Sequence, residues 1–211
     1  MFQINDISKS YGKKQILDHV SLAAGDGEAI GILGANGSGK STLLSCIAAA
    51  YADNRECPAG YVPQENPLFD ELKPVDNIKM WCKLTKAEII AALNNPPLNI
   101  MGISDFLDTP VKKMSGGMKK RLSLATVLIN NPRILLMDEP FAALDLPAKQ
   151  DILYYMQQFL KQKGTIIVAS HDEDIFRFCS RVYLLKNGRL YDTQKLKNDG
   201  ISYIDMLRST L

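Results

Sequence analysis

The sequence predicts an α/β fold: a mostly parallel sheet, with a shortened antiparallel β region at the N-terminal end and a helical lobe inserted into the core. Three observations carry this. Short apolar runs at Glu28–Leu33, Ile134–Asp138 and Thr165–Ser170 alternate with amphipathic stretches, and strands that alternate with helices pair in parallel. The first of these runs opens into a glycine-rich loop followed by good helix formers. Residues from about 65 to 114 break the alternation with a helical, irregular pattern. An apolar share of 46% over 211 residues is enough for one large domain with a true core.

Taken in order, Phe2–Ile7 and Gln15–Leu22 alternate polar and apolar residues. With the run at 28–33 they read as two or three strands, and Tyr11 falls in the turn between the first two. Residues 34–42 then read Gly-Ala-Asn-Gly-Ser-Gly-Lys-Ser-Thr, which fills the pattern G-x-x-x-x-G-K-[ST] with Gly34, Gly39, Lys40 and Ser41. Glycines let the backbone of Gly34, Ala35, Asn36, Gly37, Ser38 and Gly39 curl around a phosphate chain with N–H groups turned inward. The helix that starts near Thr42 adds its N-terminal dipole and unpaired N–H groups. Lys40 supplies charge to the outer phosphates, and Ser41 offers a hydroxyl to the accompanying Mg²⁺. This is a nucleoside-triphosphate site, and the loop alone does not separate a kinase from a GTPase, a helicase or a transport motor.

In the helical block, Thr85 and Glu88 form a capping-box pattern ahead of Ile89, Ile90 and Leu93. Val75, Ile78 and Trp81 recur at helical spacing before it, while Pro96-Pro97 and Gly102 interrupt it. Met118 to Asn130 reads as a helix with Leu122, Ala125 and Leu128/Ile129 on one face, stopped by Pro132. After the strand ending at Asp138, a long helix runs from Pro147 with a stripe of Ile152, Leu153, Met156, Phe159 and Leu160, and Gly164 is its expected stop. The strand at 165–170 follows, then a hairpin over 181–191 turning at Asn187-Gly188, then one short helix.

Composition narrows the function classes. A net charge of +2 gives no footprint for nucleic acid or an acidic membrane surface. Cys46, Cys57, Cys82 and Cys179 are scattered, which argues against zinc or a disulfide framework and fits a reducing compartment. The acidic, weakly apolar N-terminus is not a signal peptide, and no apolar run reaches the ~18 residues that a membrane span needs.

The strand at 134–138 ends in two carboxylates, Asp138 and Glu139. The C-terminal end of such a strand lies near the phosphate loop of its neighbour. Asp138 is placed to hold Mg²⁺ through its waters, and Glu139 to polarise a water for attack on the γ-phosphate.

With that pair in view, the chain resembles the ATP-binding-cassette (ABC) ATPases over nearly its whole length. Ser115-Gly116-Gly117 looks like the family signature that opens a helix, and Gln64, in Gly-Tyr-Val-Pro-Gln, like the glutamine of its Q-loop. Ala143-Leu144-Asp145 is similar to the D-loop, His171 to the switch histidine, and Tyr11 to the aromatic that stacks on adenine. The resemblance implies ATP and Mg²⁺ as ligands and a head-to-tail dimer, or a paired cassette, in which Ser115, Gly116 and Gly117 of one chain cover the nucleotide of the other. It gives Gln64 to Mg²⁺ or the attacking water, His171 to the γ-phosphate and Asp145 to the nucleotide site. Tyr11 has a second reading as an aromatic packed on its own hairpin. Met114 and Met118 depart from the family's leucine and glutamine, and only 24 positions separate Lys40 from Gln64, fewer than the family usually has. The expected role is a cytoplasmic transport motor held at the membrane's inner face by separate membrane subunits, docked through the lobe around Met80 and Trp81; buried core explains Trp81 equally well. A soluble ATPase driving protein or iron–sulfur assembly is the alternative. Import and export cues conflict, and the substrate is not legible.

Overall fold

The computed structural model describes residues 2–52, 54, 56–142, 144–194 and 203–208. Strands β1 (Phe2–Tyr11) and β2 (Lys14–Ala24) pair antiparallel as a separate two-stranded sheet. Tyr11 thus ends β1, opposite Lys14, rather than occupying the turn. The main sheet has six strands: β3 (Ala29–Leu33), β4 (Ala59–Val62), β5 (Ile134–Asp138), β6 (Thr165–Ala169), β7 (Arg181–Lys186) and β8 (Arg189–Asp192). Their order is β4-β5-β6-β3-β7-β8, and the pairings are parallel except between β7 and β8. The Asn187-Gly188 turn has positive φ at both residues, 49° and 77°, as a tight hairpin turn needs.

Alternation along the strands splits the core in two. Ile30, Ile32, Ile134, Leu136, Ile167 and Ala169 face α1 (Lys40–Tyr51) and the small sheet, where Phe2, Leu17, Val20, Leu43 and Ile47 are buried with them. Leu135, Met137, Ile166 and Val168 face the other layer, made of α4 (Gly116–Leu128), α5 (Leu146–Lys161), α6 (Glu173–Phe178) and the helical block. That block comprises α2 (Pro74–Lys79), α3 (Lys86–Asn94) and three short 3₁₀ turns between Leu98 and Lys113. A last helix, α7, spans Tyr203–Arg208.

The capping box forms at Thr85, with the Thr85 N–H donating to the Glu88 carboxylate at 2.8 Å. Val75 and Ile78 are buried, but Trp81 lies past the end of α2 and is 51% exposed, so it is not core. Ile90 likewise faces outward while Ile89 and Leu93 face in. In α5 the buried stripe is Ala148, Ile152, Tyr155, Met156 and Phe159, with Leu153 and Leu160 half-buried. Gly164 does not stop α5. The cap is Gln162, and Lys163 takes the left-handed turn at φ 64°. Gly164 is needed for room: a Cβ there would stand 2.3 Å from the Phe159 ring.

The small sheet is stitched to the large one. The Asp18 N–H donates to the Gly188 carbonyl at 2.8 Å, and Arg189 pairs with the Asp18 carboxylate at 2.7 Å. Arg181 donates to the Ala23 carbonyl at 2.7 Å and pairs with Glu28, which it holds below the usual carboxylate range.

Candidate active site

Parallel register brings the C-terminal ends of β3, β5 and β6 to one edge, since Ile32 and Asp138 both lie opposite Ala169. Ligands bind at this edge in open α/β sheets. A cleft of about 500 Å³ opens there, lined by Asn36, Gly37, Gly39, Lys40, Ser41 and Thr42 from the loop, and by Gln64, Asp138, Glu139, His171, Tyr11 and Ile16 from around it.

The loop leaves β3 and enters α1 through Gly39, at φ 105°. A Cβ at Gly39 would meet Ile16 at 2.8 Å, so glycine is required for both conformation and space. No side chain caps α1, which leaves its first N–H groups for a ligand. Lys40 is buried, and its ammonium donates to the Gly34 carbonyl at 2.7 Å and the Ala35 carbonyl at 3.3 Å. Burial lowers its pKa, offset in part by Glu139 and Asp138. The Ser38 hydroxyl is buried under the loop with no hydrogen-bond partner.

Opposite the loop, Asp138 is buried at the end of β5. The Tyr61 phenol lies between Asp138 and Ser45, and burial pushes its pKa up. Glu139 is 6% exposed and sits at φ 45°, a left-handed conformation that costs a carboxylate residue about 1 kcal/mol or more. Its N–H donates to the Ala169 carbonyl at 2.9 Å. Its carboxylate accepts from the Ser170 hydroxyl at 3.1 Å and lies 3.0 Å from Nδ1 of His171. The His171 side chain is otherwise exposed. Lys149 and Asp172 pair at 2.8 Å, tying α5 to the chain just after His171.

The residues fit a nucleotide with its metal. A buried ammonium, an uncapped helix start and a buried carboxylate converge on one cleft, and neutral oxygens from Ser41 and Gln64 complete a hard-cation donor set. Among the described residues no cluster of His, Cys, Asp and Glu could hold a metal on its own.

Two predicted groups stand elsewhere. Ser115, Gly116 and Gly117 line no part of the cleft; Ser115 is exposed and caps α4 by accepting from the Met118 N–H at 3.2 Å. Asp145 caps α5 by accepting from the Ala148 N–H at 3.0 Å, and Ala143 lies outside the described residues. Sequence reasoning missed Tyr61, Ser170 and Lys120. Ser170 had a signal in its place beside His171. Lys120 had none, since it lies off the predicted apolar face of α4 and is buried all the same.

Comparison with known proteins places these features in context. Residues 17–142 match the family model described as ABC transporter. The uncharacterized ABC transporter ATP-binding protein MJ1023 of Methanocaldococcus jannaschii is 33% identical over 97% of this chain and 82% of its own length. The bacitracin export ATP-binding protein BceA of Halalkalibacterium halodurans is 32% identical over 94% of this chain and 90% of its own. Among solved structures, the dimeric bacterial ABC transporter cassette MJ0796 superimposes with a TM-score of 0.77 and 25% identity, over 90% of this chain and 96% of that one. A dimeric post-hydrolysis state of MJ0796 bound to ADP and Pi matches equally well, at TM-score 0.77. No helix among the described residues is long and apolar enough to cross a membrane.

Proposed function

This chain belongs to the ABC transporter family, as an ATP-binding cassette, and on that premise we propose that it hydrolyses ATP with Mg²⁺ in a head-to-tail dimer to power transport through separate membrane subunits. The observation that carries this reading is the Glu139 carboxylate, buried, oriented from two sides and facing the phosphate loop across one cleft.

In this reading the loop amides and Lys40 bind the phosphates and stabilise charge on the transferring group. Lys40 exchanges the carbonyls of Gly34 and Ala35 for phosphate oxygens. Ser41, Asp138 and Gln64 would hold Mg²⁺, which supplies charge neutralisation when bound. Glu139 takes a proton from the attacking water, and Ser170 fixes one of its oxygens. The His171 ring, whose Nδ1 lies 3.0 Å from the Glu139 carboxylate, turns its other nitrogen, Nε2, to a phosphate oxygen. Tyr11, 60% exposed at the cleft mouth, stacks on the base.

Ser115 and the N–H groups of Gly116 and Gly117 line no part of their own chain's cleft, which supports their serving a second copy across a dimer, and in this reading Asp145, the cap of α5, belongs to the same seam. The dimeric cassettes of MJ0796 support this arrangement. Residues 65–114 act as a helical lobe, with Met80 and Trp81 as its docking face on the cytoplasmic side of the membrane partner. The likeness to BceA, a bacitracin export protein, supports transport over a soluble assembly role. Nucleic acid has no place in this reading.

The test is sedimentation of the purified chain with and without ATP, paired with turnover across a concentration series. Dimers that need ATP, and turnover per chain that rises with concentration, are expected. Full turnover from a strict monomer at every concentration overturns the reading.

A further inference from the structure

Helix α4 begins at the Ser115-Gly116-Gly117 group and carries Lys120 one turn later. Lys120 is only 3% exposed, an unusual burial for an ammonium. It donates to the backbone carbonyl of Pro63 at 3.1 Å and reaches that of Gln64 at 3.5 Å. Those residues directly follow β4, whose Val62 lies opposite Met137, next to Asp138. Burial pushes Lys120 down to about 8, and Asp138 and Glu139 hold it from falling further. An apolar side chain of similar length would fill the same space without the cost of desolvating a charge. What such a residue would lack is the grip on two carbonyls at the root of Gln64.

We propose that Lys120 is a positioning residue that ties Gln64 to helix α4, so that a displacement of the signature end of α4 moves Gln64 within the catalytic cleft. The proposal rests on the reading above, in which Gln64 works at the metal and water and the start of α4 faces a partner's nucleotide. It adds a physical link between the two. Gln64 is exposed at the cleft wall, so the anchoring falls to its backbone. Lys120 reaches that backbone from a different element, 56 positions away along the chain.

A double-mutant cycle tests this. Lys120→Met, Gln64→Ala and the double variant are compared for kcat and KM for ATP, with thermal melting as a control for folding. Lys120→Met is expected to lower kcat about tenfold with KM for ATP within twofold, and to lower kcat less than twofold further when Gln64 is already alanine. Lys120→Gln, which keeps an N–H donor without the charge, is expected to retain more of kcat than Lys120→Met, and it stands in should the methionine variant not fold. A loss of the same size in both backgrounds shows that Lys120 acts elsewhere and overturns the proposal. A Gln64→Ala variant with unchanged kcat removes Gln64 from the mechanism, and the Lys120 link falls with it; the first result, with Gln64→Ala itself impaired, leaves the reading of Gln64 standing.

Discussion

Replacing Glu139 by glutamine separates chemistry from architecture. The carboxylate is held by the Ser170 hydroxyl at 3.1 Å and by Nδ1 of His171 at 3.0 Å. A glutamine keeps both contacts: its carbonyl accepts from Ser170, and its amide donates to Nδ1 of a neutral ring. Two charge-assisted bonds become two neutral ones, so the loss of stability is about 1 kcal/mol, or about 2–4 °C in Tm for a chain of this size. Turnover should fall much further. Loss of a general base costs about 10²–10⁴ in rate, which is about 3–5 kcal/mol of barrier. ATP binding should persist, since one negative charge leaves the cleft, and the ATP-bound dimer should live longer. Phosphate release at saturating ATP, melting curves and gel filtration in ATP measure the three quantities. A folded Glu139→Gln chain releasing phosphate at more than a tenth of the parent rate would refute the role of this carboxylate.

Lys40→Ala should weaken ATP binding by about 10- to 150-fold, the cost of one charge-assisted contact, as read by calorimetry; unchanged affinity removes the loop assignment. Tyr11→Ala should lose about 1–3 kcal/mol of base stacking with kcat at saturation little changed, whereas an aromatic that merely packs on its hairpin would leave nucleotide affinity alone. Glu28→Gln should cost about 1 kcal/mol near neutral pH, because Arg181 is partly exposed and solvent screens the pair. Since Arg181 lowers the folded-state pKa of Glu28, that stability is present above the ordinary carboxylate range and vanishes as pH falls through the lowered value; urea titrations at neutral and acid pH should therefore converge for parent and variant. Gly164→Ala drives a methyl group to 2.3 Å from Phe159, and overpacking of about 1–3 kcal/mol should appear in the urea midpoint with no effect on KM.

Strand β5 was legible because it is buried on both faces: an unbroken apolar run that stops at a pair of acids suits a central strand meeting a polar edge and little else. The phosphate loop was legible because its physical tasks restrict nearly every position. Helix α4 was legible only in part. Its predicted single apolar face became burial around most of its circumference, since it is wedged against β4, α2 and α5. A lysine in such a helix reads as solvated by default, so Lys120 stayed hidden. Tyr61 was hidden for another reason, and so was the partner of Ser170, whose place beside His171 was its one local signal: the sheet register brings Asp138 to Tyr61 and Glu139 to Ser170, and register between distant strands is not written in any local pattern.

The stitching of the small sheet to the large one bears on how the base is received. With Asp18 bonded to Gly188, Arg189 to Asp18 and Arg181 to Ala23, the ribbon that ends at Tyr11 is braced at two points of its second strand. On the proposal that Tyr11 stacks on the base, an arriving purine would meet a strand pair whose support is already set, and little ordering entropy would be spent at that moment. Backbone amide exchange in β1 and β2 should look much the same whether or not nucleotide is present. If Tyr11 receives the base as proposed, recognition is a matter of docking against a prepared wall rather than of folding a loop around a guest.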